Sequence, residues 1–447
     1  VPTGFDREPY YYKKELSVRM SCSYGPGRYD PEYEEKGRDY PPAYVRWTEK
    51  RNMQAFQDAL NAGSIDVSYL TTHVFSLDDA AAAYDIIVNR TEPSIGILLE
   101  YDVAKEHGED EKFVRLKSAS PASRLSVGFI GAGSYAQSHL LPNIPKTGEV
   151  SLKGVMTSTG TGSRSAGDRY GFEFCTTDPE AVLGNDEINT VFIATRHDTH
   201  AEYVLDALKH RKHVFVEKPL CLTEEELEEI KAAYEENAEG DGAPVLMVGY
   251  NRRFSPFIRE IKKNLGSNPI AAVYRVNAGA IPKDSWIQDM EIGGGRIIGE
   301  VCHFVDTLMY LAGSIPKEVH AAALPDPDNL HDSLTVNMTF ENGSIGSVVY
   351  LANGDKGLSK ERLEVFSGGA AAVMEDYKKL NLYLRGKKKE KKLLSQEKGQ
   401  KNELNHFLEA VSGKIDPSIT FRELYACSLS TFKILDSIKS GKAVSLT

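Results

Sequence analysis

The chain has 447 residues, 41% hydrophobic and 26% charged, an ordinary globular mix long enough for two or three domains. Its net charge of −11 argues against nucleic acid or an anionic membrane as a partner, and no window of about 18 apolar residues is present to span a bilayer. The cysteines (Cys22, Cys175, Cys221, Cys302, Cys427) form no C-x-x-C pair and no basic-then-apolar leader is visible, so neither a structural zinc site nor a disulfide framework is expected, and a cytoplasmic location is.

In chain order, Tyr24 to Pro42 reads as a loop rich in Gly, Pro, Tyr and charge. Met53 to Ala62 reads as a helix, with Met53, Phe56 and Leu60 at helical spacing and Gly63 ending it. Asp79 to Val88 reads as a second helix and Ser94 to Tyr101 as a buried strand. The polar stretch from Lys105 to Arg124 lacks apolar periodicity and reads as a linker.

After it the pattern alternates. Leu125–Ile130, Leu152–Met156, Thr190–Ala194 and Val214–Val216 read as strands. Helices are expected after Ala136, after Asp178-Pro179, over His200–His210, and after the capping box of Thr223 and Glu226. Such alternation implies a doubly wound parallel sheet, hence an α/β Rossmann domain. From about Ala271 the strands alternate hydrophobic and polar residues, with a hairpin signal at Asn342-Gly343. This predicts an α+β domain with a large, mostly antiparallel open sheet, closed by helices over Asn402–Val411 and Leu424–Ile438. The boundaries expected are 1–102, a linker 103–124, a Rossmann domain 125–248 and a substrate and oligomerisation domain 249–447.

Gly131-Ala132-Gly133-Ser134-Tyr135-Ala136 follows a strand and opens a helix. The first glycine allows the tight turn, the second lets backbone approach a pyrophosphate, and the small Ala136 lets helix and strand pack. The phosphates would rest on the free N–H groups of the helix start. The second strand ends in Met156-Thr157-Ser158, without the carboxylate that would hold a ribose 2′-hydroxyl. Arg164 follows, free to pair with a 2′-phosphate or to be a solvated helix residue. The cofactor expected is NAD or NADP, with a slight lean to NADP.

Residues 125 to about 440 resemble the glucose–fructose oxidoreductase / inositol dehydrogenase (Gfo/Idh/MocA) family. The glycine loop carries the resemblance together with Ala194-Thr195-Arg196-His197-Asp198-Thr199-His200, Glu217-Lys218-Pro219, Gly249-Tyr250-Asn251-Arg252-Arg253-Phe254, Gly293-Gly294-Gly295, and His303 with Asp306. Glu-Lys-Pro at a strand end is the most specific of these. The resemblance implies that Lys218 contacts both the substrate hydroxyl and the nicotinamide ribose, beside Glu217. It implies that Thr195, Arg196, His197 and His200 line the nicotinamide side, and that Tyr250, Arg252 and Arg253 meet the substrate. His303 is the expected general acid/base, with a satisfied structural histidine as the alternative. The family pattern D-x-G-x-H-x-x-D here has Gly299 for the first aspartate and Val301 for the glycine. Glu300 is the candidate to replace that carboxylate, although it points about 100° away around a helix. Trp286 would stack on a sugar face or pack within its loop.

Residues 1 to about 101 resemble the C-terminal end of zinc-type medium-chain alcohol dehydrogenases through Lys14-Glu15-Leu16, Ser23-Tyr24-Gly25-Pro26-Gly27, Thr72-His73-Val74-Phe75-Ser76-Leu77 and Ala83-Tyr84. That family's zinc ligands and its own glycine loop are absent from this sequence. The whole resembles part of a two-enzyme fusion of a kind seen near polysaccharide biosynthesis.

The expected function is therefore hydride transfer between nicotinamide and a sugar or nucleotide-sugar hydroxyl or ketone, in a homodimer or homotetramer. Redox-assisted elimination or glycoside cleavage on the same fold is one alternative. A weakly catalytic cofactor-binding module is another. No metal is expected, since His197 and His200 lack a third ligand at helical spacing. The basic run from Lys378 to Lys401 reads as a solvated strand edge, with Leu380, Leu382 and Leu384 alternating inside it.

Overall fold

The computed structural model describes residues 11–17, 24–102, 112–118, 125–146, 148–238, 243–326 and 330–446. Ser23, Cys22 and most of the expected linker lie outside the described residues. The chain divides into two compact units, Val1–Glu106 and His107–Thr447.

In the first unit the Tyr24–Pro42 loop contains a short helix α1 (Pro31–Glu34), started by the Asp30 side chain accepting from Glu32 N–H. Then come α2 (Glu49–Asn61), β1 (Thr71–Ser76), α3 (Ala80–Asn89) and β2 (Gly96–Glu100). β1 and β2 pair in parallel across α3. The helices and the strand fall where periodicity places them, but the expected burial does not hold. Met53 and Phe56 of α2 are exposed, and β2 is only partly buried, with Leu98 exposed. A two-stranded sheet has too few neighbours to cover both of its faces.

The second unit opens with β3 (Phe113–Arg115), an antiparallel edge strand inside the expected linker. Three residues are too few to leave a periodic signal. Next come β4 (Leu125–Ile130), β5 (Val150–Met156), α4 (Gly160–Tyr170), β6 (Phe174–Thr176), α5 (Glu180–Leu183), β7 (Thr190–Ile193), α6 (His200–Lys209), β8 (His213–Val216), α7 (Glu224–Asn237) and β9 (Leu246–Val248). The sheet order is β3-β6-β5-β4-β7-β8-β9. Counting from β4, this is the doubly wound order in which the chain reverses beside the first strand. All six residues of β4 are buried, as a central strand covered on both faces requires. Local caps set the helix starts. The Asp178 carboxylate accepts from Glu180 N–H at 3.1 Å, and Thr223 with Glu226 forms the expected reciprocal box. The helix after the glycine loop departs from the α form. It winds as a π-turn over Ala136–Leu140 and a 3₁₀ turn over Leu141–Asn143. Pro142 lacks the N–H that an α-helix needs there.

The remainder comprises α8 (Pro256–Leu265), β10 (Ala271–Asn277), α9 (Cys302–Ala312), β11 (Pro316–Ala323), β12 (Leu334–Phe340), β13 (Ile345–Leu351), β14 (Glu361–Ser367), β15 (Ala370–Glu375), β16 (Lys379–Leu384), β17 (Lys387–Lys392), α10 (Gln400–Val411), α11 (Phe421–Ser440) and β18 (Val444–Ser445). Nine strands form one sheet in the order β17-β16-β15-β14-β10-β13-β12-β11-β18, antiparallel except for β10 with β13. Leu334, Val336, Met338 and Phe340 of β12 face inward and the residues between them outward. Gly343 takes the left-handed turn of the β12–β13 hairpin at φ +83°. β17 is exposed throughout and forms the basic sheet edge.

Two buried ion pairs tie the start of α8 to this sheet and to α9. Arg253 donates from Nε to Asp306 at 3.0 Å, and both side chains are 1% exposed. Arg252 donates to both oxygens of Glu361, at 3.0 and 3.1 Å. Removing one partner strands a charge in the interior. Asp306→Ala is expected to lower unfolding stability by about 3–5 kcal/mol, read from denaturant midpoints. A loss under 1 kcal/mol would contradict the pairing.

Candidate active site

The site is built where β4, β7 and β8 end, facing the first turns of the α9 helix. The chain leaves β4 through Gly131 at φ +88°. A Cβ there would stand 2.4 Å from the Ala194 carbonyl oxygen, so only glycine fits. At Gly133 the opposite holds, since a Cβ would meet nothing within 4 Å. Gly133, Ser134 and Tyr135 are exposed, whereas Ala136 is buried against the strand. A tight turn, open backbone and a small packing residue fit the phosphates of a dinucleotide. After β5, Thr157 Oγ1 donates to Thr159 O at 2.8 Å, Thr159 caps α4, and Ser158 is exposed. Arg164 is paired at the surface of α4. Its Nε donates to Asp168 at 2.7 Å, with both side chains more than half exposed.

Beyond β7 two histidines stitch loops together. His200 is fully buried; its Nδ1 donates to Pro219 O at 2.7 Å. His197 Nδ1 donates to Gly293 O at 2.8 Å. Burial with the nearby Lys218 charge drives His197 down to about 3, and burial drives His200 to about 4, so both are neutral. Trp286 meets the His197 ring edge-on at 4.8 Å, and the Arg196 guanidinium lies 5.9 Å from its centre. Thr195 accepts from Thr199 Oγ1 at 2.7 Å.

Lys218 ends β8. Its Nζ donates to the Gly299 carbonyl at 2.8 Å, bridging the Rossmann domain and a π-turn over Ile297–Val301 that leads into α9. π-turns of this kind often mark functional sites. A Cβ at Gly299 would stand 3.1 Å from His197 Cε1, so the imidazole occupies the side where an aspartate would begin. Glu300 does not take over that place. Its oxygens are held by Arg296 Nε at 3.2 Å and Tyr350 OH at 2.7 Å. Burial opposes its charge, but Arg296, Lys218 and Tyr350 outweigh burial and hold its carboxyl below the usual range. Arg296 is the partner that sequence reading missed, although its i,i+4 spacing to Glu300 was a signal.

His303 lies on α9, 9% exposed, with Nδ1 buried and unpartnered. Burial, then the charges of Arg252, Lys218, Lys398 and Lys360, push it well below its ordinary value, so it is neutral. Tyr250 approaches its ring edge-on and is itself buried. Arg252 and Arg253, expected at the substrate, are instead buried in the ion pairs described above, and Arg253 also reaches Glu423 at 3.2 Å. Glu217 is buried, its Oε1 without a partner, and its charge couples to that of the fully buried Glu403 on α10. Desolvation pushes Glu217 up to about 7. Among the described residues no group of three or more His, Cys, Asp or Glu side chains forms a metal site.

The sheet order and glycine turn define a dinucleotide-binding Rossmann fold. Residues 125–239 match a family model described as "Oxidoreductase family, NAD-binding Rossmann fold", and residues 269–368 match the GFO/IDH/MocA C-terminal domain. Uncharacterized oxidoreductase YrbE of Bacillus subtilis is 28% identical over 258 residues, 56% of this chain and 74% of that protein. Myo-inositol 2-dehydrogenase of Thermotoga maritima is 24% identical over 328 residues, 71% of this chain and 89% of that protein. A levoglucosan dehydrogenase solved in complex with NADH and levoglucosan superposes with a TM-score of 0.64 at 23% identity, over 72% of this chain and 99% of that one. The matched stretches, residues 125–239 and 269–368, belong to the Gfo/Idh/MocA oxidoreductase family, and the chain is an NAD(P)-dependent dehydrogenase or reductase.

The buried Glu217 gives a pH test. A carboxyl raised from 4.5 to about 7 keeps its proton in the folded state while the unfolded chain releases it. Its contribution is therefore full below 4.5 and falls as pH rises to about 7, at about 1.4 kcal/mol per pH unit for one retained proton. Glu217→Gln is expected to make the fall in stability between pH 5 and 7 shallower. An unchanged slope in cofactor-free protein would contradict the buried, protonated carboxyl.

Proposed function

We propose that this chain transfers hydride between a nicotinamide dinucleotide and a CH–OH or C=O carbon of a sugar or cyclic polyol, free or nucleotide-linked. The observation that carries the reading is the pairing of Lys218 Nζ, fixed on Gly299 O, with a neutral His303 whose charge environment Lys218 helps to set. Bound at the Gly131 loop, the dinucleotide supplies or accepts the hydride. Gly131, Gly133, Ser134, Tyr135 and Ala136 would hold its phosphates, and Thr157 and Ser158 its adenosine ribose. Thr195, Arg196, His197 and His200 would line its nicotinamide end, with Glu217 buried behind Lys218.

Lys218 places a fixed positive charge at the reacting oxygen, which stabilises a developing alkoxide. His303, kept neutral by its surroundings, accepts the hydroxyl proton in oxidation and returns it in reduction. Glu300 serves as an anchored negative charge rather than as the proton acceptor, because Arg296 and Tyr350 keep it ionised. The parallel β1–α3–β2 arrangement is the support for reading the first unit as part of a medium-chain dehydrogenase domain. Exposed Val273, Ile345 and Phe366 on the open face of the nine-stranded sheet support assembly of copies into a homodimer or homotetramer.

Lys218→Ala is expected to lower kcat on a working substrate by about 10²–10⁴-fold, as is His303→Ala. Undiminished turnover in either variant would remove the role assigned. Because His303 is pushed well below its ordinary value, the acidic limb of kcat/KM for oxidation is expected below the ordinary histidine range. NADH should raise the melting temperature in proportion to its binding, and Arg164→Ala should leave that rise in place. A rise with NADPH alone, lost in Arg164→Ala, would contradict this and support NADP.

A further inference from the structure

Gly299 carries the carbonyl that receives Lys218, yet it has no side chain with which to fix its own peptide. Glycine rotates its backbone more freely than any other residue, so the direction of that carbonyl depends on what flanks it. On one side stands the His197 ring, whose Cε1 would lie 3.1 Å from a Cβ at Gly299. The other constraints come from Arg296, three residues earlier, and from Glu300, the next residue.

Arg296 is 2% exposed and immediately precedes the π-turn over Ile297–Val301. Its Nε donates to Glu300 at 3.2 Å across the turn, and its Nη1 donates at 2.6 Å to the carbonyl of Gly279, just beyond β10. The second Glu300 oxygen accepts at 2.7 Å from Tyr350 OH on β13, the strand that pairs with β10. The Arg296 guanidinium lies 5.1 Å from the centre of the same tyrosine ring. The turn that presents Gly299 is thereby bonded to two neighbouring strands of the nine-stranded sheet. A buried ion pair gains little net stability over apolar residues of the same volume, because both charges lose their water. Charge balance also requires nothing beyond the pair itself. The added bonds to Gly279 and Tyr350 give the pair a fixed direction, and the peptide it directs is the one that holds Lys218.

We propose that Arg296 and Tyr350 are positioning residues: through Glu300 they hold the π-turn so that the Gly299 carbonyl sets the place of the Lys218 ammonium. This rests on the oxidoreductase reading above, in which that ammonium faces the reacting oxygen. A displacement of about 1 Å at such a group costs on the order of 10²-fold in rate.

The test uses Tyr350→Phe, which removes one oxygen and leaves the ring, and Arg296→Met; Tyr350→Phe decides where Arg296→Met does not fold. Both are assayed with the cofactor and substrate that the wild type turns over, alone and combined with Lys218→Ala. Tyr350→Phe is expected to lower kcat about fivefold or more and Arg296→Met about tenfold or more, with little change in the KM for cofactor. Beside Lys218→Ala the same substitutions should cost nothing further, since the group they place is gone. Undiminished kcat in Tyr350→Phe, a loss carried by the cofactor KM instead, or a loss that persists beside Lys218→Ala overturns the proposal. If no sugar is oxidised or reduced, the oxidoreductase reading fails on its own, and the clamp is judged by the reactivity of Lys218. Trace acetylation with acetic anhydride, read by mass spectrometry, should label Lys218 several-fold faster in Tyr350→Phe than in wild type, with the exposed lysines of β17 unchanged. Equal labelling of Lys218 in the two proteins overturns it.

Discussion

The hydrogen bond from Lys218 Nζ to the Gly299 carbonyl joins the two halves of the catalytic unit. Lys218 belongs to the end of a Rossmann strand, whereas Gly299 belongs to the π-turn that leads into α9. The contact fixes where a positive charge stands relative to His303, one turn further on. His197 makes a parallel link to Gly293. With a lysine and a histidine each anchored on the opposing loop, the cleft has a set geometry before substrate arrives. Such preorganisation is how a fixed charge lowers a barrier without reorganising during the reaction.

The electrostatics follow from that geometry. Cations surround His303 and keep it neutral, while Glu300 stays ionised because Arg296 and Tyr350 hold it. Two carboxyls whose nearby cations do not offset their burial behave in the reverse way. Glu217 and Glu403 are buried near each other behind Lys218, and desolvation favours their protonated forms. One small region thus holds a neutral base, an anchored carboxylate and protonated acids, each set by its surroundings rather than by residue type.

Much of this was legible in the sequence because its signals are local. Gly131 needs a positive φ, Thr223 and Glu226 cap one another, and the strands that flank them carry their own apolar runs. What the sequence hid depends on partners far along the chain. Arg252 and Arg253 read as substrate contacts since their charges were visible and Glu361 and Asp306, 109 and 53 residues away, were not. Gly299 read as a lost carboxylate, and only the fold shows the His197 ring against it. Arg164 read either as a 2′-phosphate partner or as a solvated helix residue, and the structure adds its surface pairing with Asp168 one turn later.

The account turns on direct hydride exchange at this site. The measurement that tests it most directly uses sugars deuterated at each hydroxyl-bearing carbon in turn, incubated with the cofactor and the enzyme in ordinary water. Mass spectrometry then reads the reduced cofactor. The account predicts one carbon whose deuterium appears in the cofactor stoichiometrically, with no solvent hydrogen in its place. Deuterium lost to water from every position, with no labelled cofactor formed, would contradict it.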